Sequence, residues 1–151
     1  MIALGSDHVG IELKKHIMEY LDEAGEIYKD YGTFSTDRVN YTEYGYAAAK
    51  AVADGICEKG IVFCGTGVGI SIAANKVHGI RCVNCSEPYS SLLSRQHNDT
   101  NMLALGARVV GKDLAIMIVR EWIGGQYEKG RHAVRVQQIT EIEKGNFPVK
   151  Q

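Results

Sequence analysis

The most constraining feature of this chain is the junction at which Ile61-Val62-Phe63-Cys64 runs into Gly65-Thr66-Gly67-Val68-Gly69. Four apolar residues in a row, without alternation, read as a strand covered on both faces, the pattern of a central strand in a parallel sheet. Three glycines in five residues then predict a tight turn from that strand directly into a helix.

The remaining sequence alternates to match. Ile2–Gly5 reads as a short apolar strand, followed by a helix whose Val9, Leu13, Ile17, Tyr20, Leu21 and Ala24 fall on one face. Gly25 ends that helix, and Glu26–Tyr31 alternates as a strand. An irregular stretch, Gly32–Asn40, leads to an alanine-rich helix over Tyr41–Asp54, and a further helix after the glycine loop reaches Val77. Ile80–Cys85 reads as the fourth strand, and Ser86-Glu87-Pro88 as a polar cap with proline near the first helical position. Met102–Leu105 is the fifth strand, Lys112–Ile123 an apolar helix, and His132–Lys144 a last amphipathic helix striped with Ala133, Val136, Ile139 and Ile142. This pattern predicts an α/β fold in one domain over residues 1–151. Its core is a doubly wound, five-stranded parallel sheet of the Rossmann or flavodoxin-like type, in the order 2-1-3-4-5, with an extra C-terminal helix.

Composition narrows the function. The formal net charge is −1, so no global field favours a nucleic-acid backbone or an anionic membrane. No apolar run reaches the ~18 residues of a membrane span, and the N-terminus lacks the basic start of a signal peptide. Cys57, Cys64, Cys82 and Cys85 read as reduced thiols, and the expected location is the cytoplasm.

In a sheet of this kind, ligands bind where strands 1 and 3 lie side by side, at their carboxyl ends. Asp7-His8 follows strand 1 and Cys64-Gly65-Thr66-Gly67 closes strand 3, so topology alone gathers an acid, an imidazole, a thiol and a glycine loop. The loop is no Walker A motif, and Ile70 stands where a dinucleotide fingerprint needs its third glycine. Its amides suit an oxyanion; the alternative is a bare strand-to-helix turn with no ligand. Cys64 reads either as a small core filler or as a proton-abstracting base. Asp7-His8 reads as a helix cap plus surface imidazole, or as an acid–base or phosphate-binding pair. Cys82 and Cys85, three apart on a strand, point to opposite faces and make a poor joint metal site. Arg131 and Arg135 share one helical face, which is either solvated or suited to phosphate.

Taken together, these residues resemble the ribose-5-phosphate isomerase B type of sugar-phosphate isomerase, a family that also includes galactose-6-phosphate isomerases. The blocks that carry the resemblance are Gly5–Gly10, Gly65–Lys76, Cys85–Tyr89, Ser94–Asn101 and Gly130–His132. The resemblance implies interconversion of ribose 5-phosphate and ribulose 5-phosphate, a step of the pentose phosphate pathway, through an enediolate and without metal or organic cofactor. It implies Cys64 as the base, and the amides of Gly65, Gly67 and Gly69, with Thr66 and Ser71, around the substrate. His97 would open the furanose ring with support from Asp7, while Asn98 and Tyr41 would contact the sugar. His8, Arg131, Arg135 and Arg108 would bind phosphate. The family's sites form between subunits, which implies a homodimer or a dimer of dimers. Where many relatives read Asp-Tyr-Pro, this chain has Asn40-Tyr41-Thr42. Isomerisation of another aldose or aldose phosphate, such as allose 6-phosphate, galactose 6-phosphate or a rare sugar, is one alternative. A non-catalytic phosphosugar-binding module is the other.

Overall fold

A computed structural model describes residues 1–148. The chain runs β1 (Ile2–Ser6), α1 (Ile11–Glu23), β2 (Tyr28–Asp30), α2 (Tyr41–Ala53), β3 (Lys59–Cys64) and α3 (Val68–Ala74). It continues through β4 (Cys82–Asn84), α4 (Pro88–Asn98), β5 (Met102–Gly106), α5 (Lys112–Gly124) and α6 (Arg131–Glu143). All strand pairings are parallel, and β3 lies between β1 and β5.

The side chains of β3 alternate between two cores. Ile61 and Phe63 join Leu13, Ile17 and Leu21 of α1 and Ile118 and Trp122 of α5 on one face. Val62 and Cys64 join Ala48, Ala49 and Val52 of α2 and Ile70 and Ala74 of α3 on the other. Both faces are therefore dry, which is why this strand shows no polar alternation. Cys85 packs in the first core and Cys82 against the second, so the sheet lies between these two thiols.

The observed strand order is β2-β1-β3-β5-β4, whereas the sequence predicts 2-1-3-4-5. The doubly wound fold and the β1/β3 neighbourhood stand, but the last two strands exchange places. Burial explains the exchange: every residue of β5 is buried, whereas the three-residue β4 is only half covered. The longer apolar strand takes the interior position, and the short one, next to Arg81, takes the edge.

Trp122 anchors the amino-terminal end of this sheet. Its Nε1 donates to Thr100 Oγ1 at 2.9 Å, and that hydroxyl shares a hydrogen bond with Ser94 Oγ at 2.9 Å. This buried chain ties α5 to the C-terminal end of α4, where His97 and Asn98 sit.

Lys14 is the one buried residue of α1 that is not apolar. Its ammonium pairs with Asp30 at 2.7 Å and donates to the Thr33 carbonyl at 2.9 Å. Burial pushes its pKa below the ordinary lysine value, against the opposing pull of Asp30. The pair holds the 31–40 loop against α1. Asp30→Ala leaves the ammonium buried and unpaired and is expected to cost about 3–5 kcal/mol. Adding Lys14→Met to that variant is expected to recover most of the loss; urea denaturation of the three proteins checks both steps.

Candidate active site

The carboxyl ends of β1, β3 and β5 are bound together by backbone hydrogen bonds. Asp7 N–H donates to Phe63 O at 3.1 Å, Ala107 N–H to Cys64 O at 2.8 Å and Arg108 N–H to Gly65 O at 3.0 Å. Cys64, Asp7 and Arg108 are thereby placed around one point by the sheet itself.

Cys64 is buried at the end of β3, and its sulfur accepts a hydrogen bond from Gly67 N–H at 3.1 Å. The positive end of an amide dipole thus meets the thiol. Gly67 makes this contact from a left-handed conformation, φ +79°, and a Cβ there would also collide with Asn84. Asn84 Nδ2 in turn donates to Thr66 O at 3.3 Å, and Thr66 Oγ1 accepts from Val68 N–H at 3.4 Å. Among the described residues, the amides of Gly65, Thr66 and Gly69 have no acceptor within the chain. They are free to meet a ligand oxygen beside the thiol.

The other residues at this edge are equally specific. Asp7 is buried, and its Oδ1 accepts from Val9 N–H and Gly10 N–H, both at 2.9 Å, so one oxygen caps the entry to α1. Its other oxygen has no partner among the described residues. His8 Nδ1 accepts from Val39 N–H at 3.3 Å, which leaves Nε2 as the protonated donor nitrogen. Tyr41 opens α2, and its ring lies so close to Gly69 that a Cβ there would approach Cζ to 2.6 Å. Asn40 donates its side-chain amide to Glu43 at 3.1 Å, and Tyr41 still reaches the loop. Ser71 turns inward, donating to Val68 O at 2.8 Å, and so braces the loop. The Arg108 guanidinium lies over Gly65, with Nη1 3.8 Å from where a Cβ would stand.

His97, Asn98, Arg131 and Arg135 are not brought to this point. Asn98 O accepts from Arg81 Nε at 3.0 Å, and Arg81 precedes β4, so these residues sit at the amino edge of the sheet. Cys64 pairs with Gly106 and Gly60 with Met102, so the two edges are separated by at least four strand rises, about 13 Å. There His97 stacks on His132, with ring centroids 4.1 Å apart and planes 6° apart. Glu128 Oε2 lies 3.9 Å from His97 Nε2 and 3.6 Å from His132 Nε2. Arg81 and Arg95 pair with Asp99, and Arg120 with Glu121. Arg108, Arg131 and Arg135 form no ion pair among the described residues.

Sequence reasoning missed Asn84, Gly106 and Glu128. A Cβ at Gly106 would approach the Thr66 carbonyl to 2.6 Å, so this glycine lets β5 close on the loop. A lone glycine after an apolar run carried that signal, but nothing in the spacing paired it with Thr66. Asn84 and Glu128 act through neighbours distant in sequence and left no local trace.

The fold and this edge define a class: α/β proteins that hold a small polar ligand at the switch point of a parallel sheet. More narrowly, the chain belongs to the Ribose/Galactose Isomerase family, which it matches over residues 2–139. It is 60% identical to ribose-5-phosphate isomerase B of Escherichia coli (strain K12) over 142 residues, 94% of this chain and 95% of that protein. A ribose-5-phosphate isomerase B structure from Clostridium thermocellum is similar at TM-score 0.94 and 51% identity, covering 95% of this chain and 97% of that one. The enzyme from Mycoplasma genitalium, solved with bound ribulose-5-phosphate, is similar at TM-score 0.91 and 35% identity, covering 95% of each chain.

Gly67→Ala forces an L-residue into the left-handed region against Asn84. It is expected to cost at least about 2 kcal/mol in denaturant unfolding. An unchanged midpoint would show that the loop does not hold this conformation.

Proposed function

We propose that this chain interconverts D-ribose 5-phosphate and D-ribulose 5-phosphate by proton transfer through an enediolate. The observation that carries the reading is the buried Cys64 sulfur under the Gly67 amide, beside amides with no acceptor among the described residues, in a chain of this family. The names of its relatives, one of them with ribulose-5-phosphate bound, support the choice of sugar.

In the open-chain aldose, Cys64 as thiolate removes the proton from C2. The electron pair moves into the C1–C2 bond, and charge develops on O1, toward which the amides of Gly65, Thr66 and Gly69 point. Proton exchange between O2 and O1, followed by return of the proton from Cys64 to C1, yields the ketose. No redox partner is needed, because the hydrogen leaves one carbon and arrives at the next. Asp7 and Tyr41 flank the sugar, and His8 Nε2–H reaches phosphate with Arg108.

Opening the furanose ring requires an acid–base group, assigned here to His97, with Asn98 on the sugar and Arg131 and Arg135 on the phosphate. These four lie at the opposite edge of the same sheet, so a second copy of the chain must present them to Cys64. The apolar side chains of α6 support such an assembly: none of its residues is buried, and Val134, Ile139 and Ile142 face outward. The assembly is a homodimer or a dimer of dimers. Among the described residues, no helix is long and apolar enough to cross a membrane.

The conversion of ribose 5-phosphate to ribulose 5-phosphate, measured in chelator, tests this reading. Cys64→Ala is expected to lower kcat by about 10²–10⁴-fold. Wild-type protein that turns over no pentose or hexose phosphate would sink the enzyme reading; full activity in Cys64→Ala would remove the base. Arg131→Ala is expected to raise KM for ribose 5-phosphate about tenfold or more, with little effect on free ribose. Equal effects on both sugars would refute the phosphate role.

A further inference from the structure

We propose that Glu128 and His132 are positioning residues for His97, holding its imidazole in the orientation that opens the sugar ring. The proposal rests on the ring-opening role assigned to His97 above.

Three elements converge to build this cluster. His97 is the penultimate residue of α4, His132 the second residue of α6, and Glu128 stands in the connection between α5 and α6. Glu128 N–H donates to Gln96 O at 3.0 Å, which pins the backbone of the acid to the residue before His97. His132 N–H closes the turn by donating to Lys129 O at 3.0 Å. That turn is held in an unusual conformation, with Lys129 at φ +58° and Gly130 at φ +52°. A non-glycine residue in the left-handed region costs of order 1–3 kcal/mol, so the surrounding contacts must enforce it.

Two imidazoles and a carboxylate suggest a metal site, since their donor atoms lie within 4.8 Å of one another. The stacking argues otherwise. A metal ion about 2.1 Å from each Nε2 must lie near both ring planes. Two nearly parallel planes with centroids 4.1 Å apart do not meet at such a point. What the cluster can share is a proton. Glu128 Oε2 stands 3.9 Å from one Nε2 and 3.6 Å from the other, so a small movement of this half-exposed side chain completes a hydrogen bond to either ring.

The chemistry of ring opening explains why orientation matters. The C1–O4 bond breaks as a proton leaves the C1 hydroxyl and another arrives on O4, leaving an aldehyde and a hydroxyl with no net change in protons. A single imidazole can do both only if its ring is held within reach of both oxygens. The His132 face sets the tilt of the His97 ring, and Glu128 sets its rotation and faces the charge the ring carries between the two transfers. Burial, with His97 and Arg131 nearby, pushes the pKa of His132 below the ordinary histidine value, against the opposing pull of Glu128. Its buried Nε2 has no hydrogen-bond partner among the described residues, which leaves Glu128 as the nearest acceptor.

Ribulose 5-phosphate carries its phosphate on the oxygen that would close a furanose ring, so it is acyclic and its C1 proton exchanges without any ring opening. The test compares Glu128→Gln with wild type in two assays: conversion of ribose 5-phosphate, and NMR-detected deuterium wash-in at C1 of ribulose 5-phosphate. Glu128→Gln is expected to lower kcat for conversion about tenfold, with KM and wash-in within about twofold of wild type. Glu128→Asp is expected to recover most of the loss. If conversion and wash-in fall together, or neither falls, the proposal is overturned while the isomerase reading stands. If the wild type shows neither conversion nor wash-in, the isomerase reading fails and takes this proposal with it.

Discussion

The hydrogen bonds at the carboxyl end of β3 are the constraint on which the candidate site depends. Phe63, Cys64 and Gly65 each offer a carbonyl to the loop of a neighbouring strand, through Asp7, Ala107 and Arg108 respectively. Because the strands are parallel and buried on both faces, their ends cannot slip without exposing one core or the other. A thiol, a carboxylate and a guanidinium are thus located by backbone geometry before any of their own contacts form. The Gly67 amide then turns back onto the Cys64 sulfur, and the loop can close so tightly only because Gly67 and Gly106 lack side chains. Loop and sheet form one rigid piece, as a site that must place a base against a particular carbon requires.

The same parallel arrangement divides the candidate site residues. Helices that follow strands return toward the amino edge, so α4 carries His97 and Asn98 away from the thiol. The α6 helix, packed near them, keeps Arg131 and Arg135 there as well. Each chain therefore carries two groups of candidate site residues, at opposite ends of its sheet. Among the described residues Arg131 and Arg135, like Arg38 and Arg108, have no acidic partner, whereas Arg81, Arg95 and Arg120 do. With a net charge of only −1, local groups and not a global field must hold any anionic ligand.

The sequence made much of the first half-site legible. The apolar run Ile61–Cys64 marked a central strand, and placing Asp7-His8 after the neighbouring strand brought the acid, imidazole and thiol together. It misled on strand order, because the run Ile80–Cys85 resembles an interior strand until the structure shows only Cys82–Asn84 pairing at the edge. Of the two readings of Asp7, the helix cap is seen, through one carboxylate oxygen; the other oxygen has no partner among the described residues. The Ser71 hydroxyl, part of the Gly65–Lys76 block, donates to Val68 O. Asn84 and Glu128 were invisible, because each acts through a partner brought near only by the fold.

Subunit complementation tests the central claim, that the two half-sites of one chain work only when paired between chains, most directly. Cys64→Ala and His97→Ala chains, each impaired alone, are co-expressed and purified as a mixed assembly. A shared site predicts recovery of up to about a quarter of wild-type activity, since half of randomly paired dimers carry one intact site. No recovery above the two parent proteins would contradict the account, and would place the base and the ring-opening group within a single chain.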